Sequence, residues 1–147
     1  MNAALLERQR RQTLRVWTRG VINARLWRLE QELGHLLATP NAKTIHDARV
    51  AARRLRSTLR HLEPCFPPQA PIQLRTEIGR VAKLLGAVRD LDILIENLAA
   101  DARRPRSPFT ALVHRMNVQR ERLLARALPE AMSLRGRLPA WTGRLET

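Results

Sequence analysis

Residues 44–62 read TIHDARVAARRLRSTLRHL, and two stripes run through them at once. Ile45, Ala48, Ala52, Leu55, Leu59 and Leu62 recur at alternating steps of three and four. His46, Arg49, Arg53, Arg56 and Arg60 recur in the same way one register along. At about 100° per residue this is a helix with an apolar stripe and, roughly a quarter-turn round, a cationic one, with Arg54 a step further. A helix with a single apolar stripe buries it against other helices, so this stretch predicts a helical bundle.

Working outward, an apolar seam of Ile22, Leu26, Leu29, Leu33 and Leu36 predicts a first helix over 14–37, ended by Pro40 and Asn41, with residues 1–13 as a frayed arm. Thr44 and Asp47 read as a Thr-x-x-Asp capping box opening the second helix, which runs to about Leu62. Pro64, Pro67, Pro68 and Pro71 forbid helix through PCFPPQAP. A third helix over 72–100 carries Val81, Leu84, Val88, Leu91, Ile95 and Leu98. A fourth over 108–128 is expected to turn Phe109, Leu112, Val113, Met116, Leu123 and Leu124 inward. Pro129 closes it or opens a short last helix, leaving 129–147 as a weakly patterned tail. No segment has the period-2 alternation of a strand. The expected fold is all-α: one domain over 1–147, an antiparallel four-helix bundle with its core in 14–128 and a short C-terminal helical tail.

The 147 residues hold 27 Lys and Arg against 13 Asp and Glu, a net charge of +14. An excess of that size implies an anionic partner. Only Lys43 and Lys83 are lysines. Arginine forks suit geometric recognition of oxyanions, although codon usage in a GC-rich genome explains the Arg-to-Lys ratio equally well. Cys65, the single cysteine, supports neither an intrachain disulfide nor a thiolate zinc site. No apolar h-region opens the chain and no stretch approaches a membrane span, so a cytoplasmic protein with no membrane partner is expected. Arg8, Arg10 and Arg11 read as disordered in preference to an arm for an anionic surface.

The cationic stripe sits one step from the apolar one, at the helix boundary, where two packed helices make a groove. Planar charged forks about 5–6 Å apart fit a row of phosphates. His46, Arg49, Arg53, Arg56 and Arg89 are the expected phosphate contacts, with Arg54, Arg60, Arg75, Arg80 and Lys83 as an outer ring. Asp90 and Asp92 lie about 200° apart on a helix, which disfavours a shared metal. They read, with Asp47, as carboxylates that orient basic side chains such as Arg89 and Arg53. No metal or cofactor is expected.

IHDARVAARRLRSTLRHLEP, followed by LLGAVRDLDILIENL, resembles the CHAD family, the conserved histidine α-helical domain. The family's HDxRVxxRRxR signature falls on His46, Asp47, Arg49, Val50, Arg53, Arg54 and Arg56, and its LGxxRDxD signature on Leu85, Gly86, Arg89, Asp90 and Asp92. The resemblance implies a basic helical bundle that binds inorganic polyphosphate and associates with polyphosphate granules. A full family domain is about twice this length, two related four-helix halves, and this chain resembles the first. A homodimer that rebuilds the shared groove is therefore expected.

The function expected from the sequence is non-catalytic polyphosphate binding. Nucleic acid is the less favoured partner, because proteins that grip single strands interleave aromatics with bases and this chain has no Tyr, three Trp and two Phe. A phosphohydrolase built on His46 and Asp47 is disfavoured, because His35, His61 and His114 show no ligand spacing with them.

Overall fold

The computed structural model describes residues 3–66 and 69–145. These form four helices, α1 (Ala3–Ala38), α2 (Ala42–Leu62), α3 (Gln69–Ala102) and α4 (Thr110–Arg144), with a single 3-10 turn at Glu63–Cys65. There is no strand among the described residues, and the all-α bundle read from the sequence is the fold. α1 packs on α2, α2 on α3, α3 on α4, and α4 returns to α1, so the four helices close a ring around one core.

The seams of α1 and α2 are buried as their spacing predicts: Ile22, Leu26, Leu29, Leu33 and Leu36 from the first, Ile45, Ala48, Ala52, Leu55 and Leu59 from the second. Three alanines on α2, Ala51 included, let its backbone come close to its neighbours. The helix opens two residues earlier than expected. Asn41, not Thr44, is the N-cap: its side chain accepts from the Thr44 amide at 3.0 Å, and its own amide donates to the Thr44 hydroxyl at 3.0 Å. Asp47 is thereby free of any capping role and pairs with Lys43 at 2.6 Å.

Prolines mislead the sequence reading at both remaining boundaries. Pro71 lies in the first turn of α3, where the amide it lacks would have had no intrahelical partner. Pro64 sits in the 3-10 turn. Pro67 and Pro68 fall outside the described residues. Pro129 and Pro139 end nothing: α4 runs through both. Both are exposed, as are Ala125 and Arg135, whose carbonyls lose their helical partners on the solvent side. The segment read as a tail is core, with Ala131, Leu134, Leu138, Trp141 and Leu145 all buried. An interior proline costs ~3 kcal/mol, and burying side chains of this size returns about 1.5–3 kcal/mol each, so packing overrides the break.

The inward-facing set moves accordingly. On α3 the buried row is Leu74, Ile78, Val81, Leu85, Val88 and Asp92, with Leu85 in the place expected of Leu84. On α4, Phe109 and Leu112 are exposed, Val113, Met116 and Leu123 are half-buried, and of the expected six only Leu124 is buried. The reason is register. Gly34 of α1 meets Arg135 of α4, so the antiparallel α4 residues before about 131 extend past the end of α1. Beyond the start of α2 as well, past the Asp92–Arg120 pair, that end of the molecule is an α3–α4 hairpin alone. At the other end, residues 3–17 are the helical start of α1, not a frayed arm, and project beyond the core, which begins at Thr18 and Ile22.

Replacing Leu134 by Ala is expected to lower the unfolding free energy by about 2–5 kcal/mol in chemical denaturation. The exposed neighbour Met132, changed to Ala, is expected to stay within about 0.5 kcal/mol of the parent. Equal, small effects would mean that the end of α4 is not part of the core.

Candidate functional site

α2 places its cations by simple helix geometry. The three-four alternation makes the row zigzag, with Arg49 and Arg56 on the edge nearest the core and Arg53 and Arg60 about 40° further round. His46 and then Arg54 follow beyond. Since α2 has α3 on one flank and α1 on the other, these positions divide between two recesses and the crest between them.

On the α3 flank, Arg56 lies over Gly79 and Arg49 over Gly86. A Cβ on either glycine would meet the guanidinium at 3.6 Å, ordinary van der Waals contact, so the missing side chains give the arginines a flat floor on the α3 backbone. Seven residues forward on α2 correspond to seven back on α3, the register of antiparallel neighbours. Around Gly79 a recess of about 360 Å³ is lined by Arg56, Arg75, Arg80 and Lys83. Arg75 donates from Nη1 to Glu63 Oε2 at 2.5 Å. Among the described residues no carboxylate pairs with Arg56, Arg80 or Lys83, and Arg56 Nε is buried without a hydrogen-bond acceptor. By the same register Arg89, half-buried, stands level with His46 in the first turns of α2.

On the α1 flank a second recess, about 260 Å³, is lined by His46 and Arg54 with Arg25 and Arg28. Its charge is partly compensated. Arg28 pairs with the buried Glu32 at 2.6 Å, His35 lies 3.4 Å from the same carboxylate, and Asp47 in the wall holds Lys43. That hydrogen bond from Lys43 keeps the Asp47 carboxyl below its usual value and raises Lys43 in return.

Arg53 and Arg60 are exposed on the crest. The structure thus corrects the picture of one groove holding the whole stripe: Arg49, Arg56, Arg75, Arg80 and Lys83 gather on the α3 side, His46 and Arg54 on the α1 side. A row a quarter-turn from the core necessarily straddles the exposed face of a helix that has a neighbour on each flank.

The expected orienting carboxylates are corrected as well. Asp92 is buried and pairs with Arg120 of α4 at 2.5 Å, not with Arg89 or Arg53. Burial works against the charge of Arg120, and hydrogen bonds from it to Asp92 and Glu121 outweigh that cost and hold its pKa above the ordinary value. Asp90 is exposed and has no ion-pair partner among the described residues. Asp47 orients Lys43, not an arginine.

Arg120 was legible and missed. Arg120, Leu124, Ala127, Ala131, Leu134 and Leu138 step by four and three along one seam, and Asp92 continues the seam of Leu85 and Val88 in the same way. Opposite charges on the next rung of two apolar seams signal a buried pair. Arg25 and Arg28 carried no such signal, because only the packing of α1 on α2 brings them beside His46. Among the described residues no group of three or more His, Cys, Asp or Glu side chains could hold a metal ion.

The model of the CHAD domain family matches residues 20–142. No curated protein and no solved structure matches the chain.

Changing Arg120 to Leu leaves the Asp92 carboxylate buried and unpaired, which is expected to cost about 3–5 kcal/mol of unfolding free energy. The double variant Arg120→Leu/Asp92→Leu should recover a large part of this in the same denaturation assay. For Asp47, whose carboxyl is lowered, the contribution to stability is present above the 3.8 of a free aspartate and is lost as pH falls through the folded value. An acid titration of the melting temperature is expected to show a small loss in that window, which Lys43→Gln diminishes.

Proposed function

The chain belongs to the CHAD domain family, and from that premise we propose that it binds inorganic polyphosphate without catalysing its turnover. The observation that carries this reading is the recess around Gly79, where four cationic side chains from two helices meet and, among the described residues, only Arg75 of the four has a carboxylate partner. Like charges gathered this closely repel one another, and a polyanion lying between them removes that repulsion. Guanidinium forks donate paired hydrogen bonds to phosphate oxygens. Arg49 and Arg56 form the inner row, with Arg89, Arg75, Arg80 and Lys83 facing them from α3. Arg53 and Arg60 extend the track over the crest, and His46 with Arg54 receives the chain on the α1 side. A long flexible anion can cross from one recess to the other, which a small phosphate cannot. Association with polyphosphate granules belongs to the same reading, and so does self-pairing: the α3–α4 hairpin exposes Ile93, Leu94, Phe109 and Leu112, a surface for a second copy. A gel-filtration mass of one chain at micromolar concentration would exclude the pair.

The competing partner is nucleic acid, since phosphate contacts dominate affinity there too. No exposed aromatic lines either recess, and stacking platforms are what single strands need.

Arg53→Ala/Arg56→Ala is expected to weaken long-chain polyphosphate binding at least about tenfold and to flatten its dependence on salt, by about 0.7 in the log–log slope for each lost phosphate contact. The helical signal should be retained, since neither residue is fully buried. Displacement of polyphosphate by RNA or DNA at equal phosphate concentration would overturn the reading. So would sustained orthophosphate release by the purified protein with magnesium.

A further inference from the structure

α1 is amphipathic twice, in opposite senses. From Ile22 to Leu36 its apolar stripe faces the core. Over residues 4–17, before the core begins, the order inverts. Arg8, Arg11, Arg15 and Arg19 continue the line of the core stripe at steps of three and four and share one side of the helix with Gln12. Leu6, Leu14 and Trp17 lie on another side with Gln9, Arg10 and Thr13. Trp17 is 59% exposed and Leu14, three residues before it on the same side, 50%, an adjacent apolar pair open to contact. A reversal of polarity within one continuous helix means that its two parts meet different surroundings.

We infer that residues 4–17 of α1 dock the protein on an anionic lipid surface, with Leu6, Leu14 and Trp17 entering the headgroup boundary and the arginines contacting lipid phosphates. The segment carries Arg8, Arg10, Arg11 and Arg15 against the single acid Glu7, which is itself bound to Arg11 at 3.1 Å. Charge therefore matches an anionic surface. Arg10 decides between lipid and protein as the occupant. It stands among the apolar side chains, so a dry contact with a second copy would bury it without a partner, whereas at a bilayer its long stem lets the guanidinium reach a phosphate. Leu6, Leu14 and Trp17 on one side, with Arg8, Arg11 and Arg15 on the other, is the pattern of a helix that lies in the interface plane. Spanning is not involved, since no helix is long and apolar enough to cross a membrane among the described residues. The expectation of no membrane partner rests on the absence of a spanning stretch and on a frayed segment over residues 1–13. A projecting helix about 20 Å long changes that expectation.

The test is co-sedimentation of the full chain with vesicles of phosphatidylcholine alone or mixed with phosphatidylglycerol. Binding is expected only to the mixed vesicles, falling with added salt, and Leu14→Ser/Trp17→Ser should reduce partitioning at least about tenfold. Both residues lie outside the core, so circular dichroism and the melting temperature should match the parent. Undiminished binding by this variant would show adsorption by charge alone and overturn the proposal. Equal binding to both vesicle types, or to neither, would overturn it too. Self-association abolished by the same variant, with no vesicle binding, would assign the surface to a second copy instead.

Discussion

Burial of α2's apolar stripe is the constraint on which the rest of the molecule depends. Ile45, Ala48, Ala51, Ala52, Leu55 and Leu59 are buried in the shared core, with α1 on one flank and α3 on the other, while Arg49, Arg53, Arg56 and Arg60 repel one another a quarter-turn away. Each like-charge step costs a few tenths of a kcal/mol, and each large buried side chain contributes several times that. The ring of helices can therefore tolerate a strained electrostatic surface beside its core. The glycine floor on α3 adds to the same effect, because Arg56 and Arg49 lie flat on the backbone where a longer side chain would push them out.

The division of charge between the two recesses has a physical origin. On the α1 flank, Glu32 and Asp47 neutralise part of the cationic surface and tie it to the packing of α1 on α2. On the α3 flank Glu63, from the turn at the end of α2, pairs with Arg75, and among the described residues Arg56, Arg80 and Lys83 have no carboxylate partner. One side is consequently a structural seam with charge to spare, and the other a concentration of positive potential that the protein itself leaves uncompensated.

The helices with unbroken seams were readable: Ile22 to Leu36 and Ile45 to Leu59 are where their spacing puts them. Reading failed where an element's fate depends on what stands opposite it. Phe109, Leu112 and Met116 have an inward-facing spacing, but α1 ends and α2 begins short of their level. Pro129 and Pro139 look like stops, and only the partners of Leu134 and Trp141 show why the helix continues. Asp92 reads as a partner of the arginines on α2 and α3, yet it belongs to Arg120, because a carboxylate on a buried rung is claimed by the helix packed against it. The arginine stripe was read as one groove because a sequence gives angles around a helix and not the number of its neighbours.

The last turns of α4 carry a further implication. Leu134, Leu138 and Trp141 complete the contact between α4 and α1, so a nascent chain that has exposed its first three helices still presents an open apolar face. Native closure must wait until Trp141 and Leu145 have left the ribosome. Until then the emerging polypeptide is a cationic, half-assembled layer in the immediate vicinity of ribosomal RNA, and the delay between synthesis and closure is the period in which it most needs shielding.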